Sequence, residues 1–184
     1  MKEKSFFQRF NKNYKFYLSN YIKVLMLKKL IPVRGNKNVP RESFSTNGKQ
    51  IVRVVFVNPS FVNDWSLTES LIHEATHSFI DQLNLSFKFI RSYVKNDIYF
   101  FSPWTGNKLT IITLVEAIFI WYSVYKFYYY NGEHFFDDIT CKNRKSWLKL
   151  GFNKLDLNNE LLKNNIDTVF LKYLIGFKEE IFYS

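Results

Sequence analysis

Cysteine is almost missing from this chain. Its one example, Cys141, has no second cysteine to join, so no intrachain disulfide can staple the fold. That suits a reducing compartment, and a cytoplasmic location is the expectation. Proline (4) and glycine (6) are scarce, which excludes collagen-like and low-complexity architectures and leaves little room for long irregular segments. Acidic residues are outnumbered, 16 against 26 basic ones, for a formal charge of +10. Such a balance favours an acidic protein, an anionic membrane surface or a nucleic acid as partner. The lysines form no dense block, so nucleic-acid binding rests on charge alone and is not expected. No internal repeat is evident. A secretory signal is not expected either, because Lys12, Lys15 and Lys23 interrupt the apolar residues near the start and no small-residue cleavage site follows.

What the chain does hold is apolar and aromatic surface, 47% and 20% of its residues. That argues against disorder. With 184 residues it is long enough for one domain, 1–184, with a core of its own. Residues 4–30 read as one basic amphipathic helix, because Phe7, Phe10, Tyr14, Tyr17, Tyr21 and Leu25 recur three or four apart with lysines between them. Pro32 stops it, so 1–31 forms an N-terminal helical part. This helix could lie on an anionic membrane surface or pack on the domain, and its aromatic stripe favours packing. Residues 51–57 are the clearest strand, β-branched and closed by Asn58-Pro59. It is either an edge strand or a central one. Between 84 and 108 aromatic and polar residues alternate as strand or short helix, and 102–107 read as a turn. Trp104 in that turn either walls a cleft or packs. Residues 109–130 read as a buried core helix rather than a membrane span, since the apolar run 109–125 falls short of the ~20 residues a span needs. Asn131-Gly132 is its expected end. An acidic, aromatic loop with His134 follows, and then a helical tail over 147–152, 156–163 and 168–182, within a C-terminal helical part at 133–184. The fold class expected is α+β, predominantly helical, with a small sheet.

Histidine is also rare. There are three, and two stand in His73-Glu74-Ala75-Thr76-His77. Four residues apart on a helix, their imidazoles share one face and can turn toward one metal ion. Glu74, one step round, can reach a water there as general base. Ser66 and Glu69 have the spacing of a capping box at the helix start. Leu67, Leu71, Ile72, Ala75, Phe79, Ile80 and Leu83 give the helix a buried side. Glu69, His73, His77 and Asp81 fall on one line, so Glu69 or Asp81 could orient an imidazole. Asp81 reads equally well as a solvated helix-end charge.

Two histidines leave a catalytic zinc one protein ligand short. Glu116 is the single charge in the run 109–125, with no lysine or arginine within a turn. A carboxylate on a buried apolar helix is costly without a positive partner, and a zinc ion is such a partner. His134 is the other candidate ligand. It could equally be a proton donor, an oxyanion stabiliser or a plain surface residue; Tyr99 and Tyr122 are further candidates for the stabiliser.

Through His73, Glu74 and His77 in LIHEATHSF and Glu116 in LVEAIF, the chain resembles the zincin metallopeptidases, and within them the gluzincins. The resemblance spans about 50–125: strand, zinc helix and glutamate helix, the catalytic core it implies. In metzincins a third histidine follows the second by six; here Leu83 stands there. Glu116 follows His77 by 116 − 77 = 39 residues on a separate helix, the gluzincin layout. Small bacterial peptidases related to anthrax lethal factor and the Pro-Pro endopeptidases are similar in layout, but carry a tyrosine where this chain has Leu109. Gene-regulatory peptidases of mobile elements likewise place a Glu-Ala pair on the later helix. The resemblance implies one zinc per chain, a peptide or protein substrate, and an edge strand at 51–57 that pairs with it. The alternatives are an inactive zincin-scaffold binding protein and a membrane-surface-associated protein.

Overall fold

The computed structural model describes residues 22–27, 44–45, 53–57, 64–90, 98–135 and 137–184; in the three segments before residue 58, and at 64–67 and 132–135, it describes the backbone alone. The described chain is mainly helical, with two small sheets.

The first sheet has the order β1-β3-β2, with β1 at Ile22–Leu27, β2 at Phe44–Ser45 and β3 at Arg53–Val57. β3 is the strand expected from its β-branched run. β1 runs parallel to it, from Ile22 opposite Arg53 to Leu27 opposite Val57, and β2 runs antiparallel, with Phe44 opposite Phe56. Two expectations are corrected here. Residues 22–27 are strand, not the end of a helix; a short apolar run fits either period, and pairing with β3 decides it. The rest of that helix, like the whole question of its membrane binding, lies outside the described residues. β3 is also central, bonded on both flanks, rather than an edge strand.

Helix α1, Asp64–Ser86, packs against β1 and β3 and carries the paired histidines. Leu71, Ile72, Ala75 and Ile80 are buried and Phe79 and Leu83 partly so, as the spacing requires. Ser66 lies inside the helix rather than capping it, and Glu69 has other partners, described below. Thr76 and Ser78 are fully buried, and their hydroxyls donate back to the carbonyls of Ile72 and Glu74 at 2.7 and 3.2 Å. Small polar residues thereby occupy the core side without an unmet bond.

Strands β4, Tyr99–Phe101, and β5, Lys108–Thr110, form an antiparallel hairpin around the expected turn. Gly106 takes φ +74° there, a conformation side chains disfavour. Helix α2 then runs Ile111–Phe135, with Thr110 Oγ1 accepting from the Thr113 N–H at 3.3 Å. Leu109 and Thr110 are thus strand, and the helix continues past Asn131-Gly132 through His134. Among the described residues, Ile111–Asn131 is the one stretch long and apolar enough to cross a membrane. Ile111, Leu114, Val115, Ile118, Val124, Phe127 and Tyr128 on it are buried inside the fold. It is the core helix.

Helices α3 (Asp138–Lys154), α4 (Glu160–Asn165) and α5 (Thr168–Tyr183) close the domain around α2. Each starts at a side-chain cap: Asp137 accepts from Thr140, Asn159 from Leu161, and Asp167 from Val169 and Phe170. α3 is longer than expected because its first half is polar. Trp104 is a packed core residue rather than a cleft wall. Its indole donates to the Leu148 carbonyl at 3.2 Å, lies edge-on to Phe152, and rests where Gly151 has no Cβ.

Two predictions follow from this packing. A Cβ at Gly151 would sit 2.0 Å from the Trp104 ring. Gly151→Ala should therefore lower stability by about 1–3 kcal/mol, although alanine is the better helix former by about 1 kcal/mol; an unchanged denaturation midpoint would refute the contact. Glu180 on α5 bonds Lys126 and Tyr122 of α2, and these bonds hold its carboxyl below the ordinary 4.5. A depressed carboxyl stabilises the fold above its unfolded pKa, and that contribution fades as pH falls through the folded one. The acid-side loss of stability should be shallower in Glu180→Gln, measured by thermal unfolding between pH 6 and about 3.

Candidate metal centre

The α1–α2 interface builds the site. Three pairings run in opposite order along the two helices: Glu116 with His77, Trp121 with His73, and Tyr128 with Glu69. The helices are therefore antiparallel, and each turn of α1 offers one polar side chain to α2. His73 and His77 converge, their Nε2 atoms 3.1 Å apart and their rings 4.8 Å between centroids. Two nitrogens on one tetrahedral zinc, each at about 2.0–2.1 Å, stand roughly 3.3 Å apart. The observed separation fits that span, and it also fits one ring N–H donating to the other.

The Glu116 carboxylate lies 3.6 Å from His77 Nδ1. This is ion-pair range and beyond a hydrogen bond. His77 and Glu116 remain about one-fifth exposed, at 19% and 20%, whereas Glu74 is buried at 8%. The exposed parts of these two side chains lie away from His77 Nδ1, which is itself buried, as is the neighbouring Glu74 carboxylate. Among the described residues no group of three or more His, Cys, Asp or Glu side chains is already gathered as a metal cage. Glu116 approaches Nδ1 of His77, whereas the atom that meets His73 is Nε2; imidazole nitrogen and carboxylate oxygen are both donors that zinc accepts.

The other expected residues divide. Asp81 continues the α1 line one turn beyond His77 and is half-buried. Glu69 serves no histidine in the interactions described for it. It takes both arms of the Arg144 guanidinium, Nε at 2.7 Å and Nη2 at 2.6 Å, and the Tyr128 hydroxyl at 2.8 Å. Burial first, and the Glu69 charge next, push the Tyr128 hydroxyl far above its usual range, so it stays a neutral donor. Tyr122 is six residues on from Glu116, about 120° round the helix. It stacks on Phe177 and donates to Glu180, so it is not brought to the site. Tyr99 is half exposed in the hairpin with the Lys108 ammonium 4.0 Å above its ring, and no described contact joins it to the histidines. His134 lies in the last turn of α2, with its side chain outside the described residues.

Sequence reasoning missed Arg144, Trp121, Trp147 and Tyr128. The guanidinium stands 4.2 Å over the Trp147 ring and 5.5 Å over Trp121. A signal for it exists: Arg144 is the one arginine after Arg91, and Trp147 follows it by a helical turn. A separate apolar groove of about 680 Å³ lies on another flank of α1, lined by Phe79, Leu83, Phe119, Phe170 and Phe177 among others and by none of the site residues.

A scan against protein-family models finds no match, and a search of curated proteins finds none either.

Proposed function

We propose that the chain is a zinc-dependent peptidase of the zincin type, gluzincin-like in its ligands, which hydrolyses peptide bonds in a peptide or protein substrate. One observation carries the reading: two imidazole nitrogens converge to 3.1 Å on one face of a buried helix, with a shielded glutamate next in sequence. His73, His77 and Glu116 would hold one zinc ion. A zinc ion held there supplies Lewis acidity, making water acidic enough near neutral pH to act as a nucleophile.

The chain's own residues do the rest. Glu74 accepts the proton of the attacking water and returns it to the leaving amine. Its burial shields it from bulk solvent. An inert binding scaffold has no use for this glutamate, so the peptidase is the better-supported reading.

Elemental analysis of purified protein should find about one zinc per chain. Glu74→Gln should keep that zinc and lose roughly 100-fold or more in turnover of a mixed peptide library. Chelator should abolish turnover in the wild type. Zinc near zero after adding it back, or full turnover in Glu74→Gln, would overturn the proposal.

A further inference from the structure

Resting on that metal-site reading, we propose that Arg144 is a positioning residue: by clamping Glu69 and packing Trp121 against the His73 ring, it holds that imidazole in the orientation that meets a divalent transition metal beside His77.

Three helices meet at this clamp. From α3, Arg144 forks onto both oxygens of Glu69 at 2.7 and 2.6 Å. From α2, the Tyr128 hydroxyl adds a third bond at 2.8 Å. Glu69 is only 12% exposed, so a largely buried carboxylate one turn before His73 is met by three donor groups. The guanidinium carbon stands 4.2 Å from the centre of the Trp147 ring and 5.5 Å from that of Trp121, and the two indoles are perpendicular, 5.1 Å apart. Trp121 in turn meets His73 edge-on, at 6.3 Å and 80°.

The reason for such a device is the softness of an imidazole. The outer torsion of a histidine side chain is broad, and backbone position alone does not aim the ring. A ligand must hold its nitrogen toward the ion before the ion arrives, or pay ordering entropy on binding. A bulky indole pressed on one edge of His73 removes that freedom, and the indole is itself held by the cation on its face. Arginine is required because only a planar guanidinium can bond a carboxylate with two parallel N–H groups while stacking on an aromatic ring.

The test is cobalt(II) titration of wild type, Arg144→Lys, Trp121→Leu and Trp121→Phe, read by visible absorption, with zinc affinity by competition. Circular dichroism of the metal-free proteins checks that each is folded. Arg144→Lys keeps the charge and loses the fork and the stack. Trp121→Leu leaves the ion pair and removes the ring contact, so it decides the matter if Arg144→Lys does not fold. Both should bind metal about 10–100-fold more weakly and alter the cobalt spectrum, the scale expected when a ligand's supporting partner is lost. Trp121→Phe should restore most of the affinity. If the folded Arg144→Lys and Trp121→Leu proteins bind cobalt with wild-type affinity and spectrum, the clamp is overturned while the metal centre stands. If the wild type binds neither cobalt nor zinc, the metal centre is overturned and the clamp falls with it.

Discussion

The polar seam between α1 and α2 is the constraint on which the rest of the structure depends. Glu69, His73 and His77 stand four residues apart, and each would carry a heavy cost if buried unmet. α2 answers them in reverse order with Tyr128, Trp121 and Glu116. Sliding one helix by a turn would take Glu69 off Tyr128 and Arg144 and leave a charge in an aromatic core. The apolar residues on either side, Leu71, Ile72 and Ala75 on one helix and Ile118, Val124 and Phe127 on the other, supply attraction that varies little with register. Burial holds the helices together, and the polar seam says where they stop.

That division explains what the sequence disclosed. The histidine pair was legible because helical spacing is local. Glu116 was legible because a lone carboxylate on an apolar helix demands a positive or proton-donating neighbour, and the structure brings it to His77. Tyr122 was not, because the chain has twelve tyrosines and nothing in their spacing ranks them; the bond to Glu180 joins residues 58 apart. β1 was misjudged for a similar reason. Its six residues fit a helix or a strand, and the choice is made by β3, far along the chain. The first half of α3 is polar enough to hide a helix, and its best local sign is the pair Asp137 and Thr140 at capping distance.

Scarcity of glycine has a counterpart in the core. A fold packed with large rings needs places where backbone yields to a side chain, and Gly151 is one of them. The indole of Trp104 fills that gap and also meets Trp121, which meets Trp147 and His73. The ring network thus runs from the hairpin through α2 to the candidate site. Its members come from four elements, so only the folded chain assembles it.

Charge balance bears on what the histidine pair is for. Arg144 answers Glu69, while Glu116 lies beside His77 and Glu74 follows His73 in the chain. Rings with their Nε2 atoms 3.1 Å apart cannot both present N–H groups to each other, so the pair can share one proton across that contact. A cationic ring donating to a neutral one carries one positive charge against two carboxylates. A divalent ion between two neutral imidazoles carries two and balances both. On the proposed metal-site reading, a dication between the rings would balance Glu74 and Glu116, where a shared proton would balance one of them.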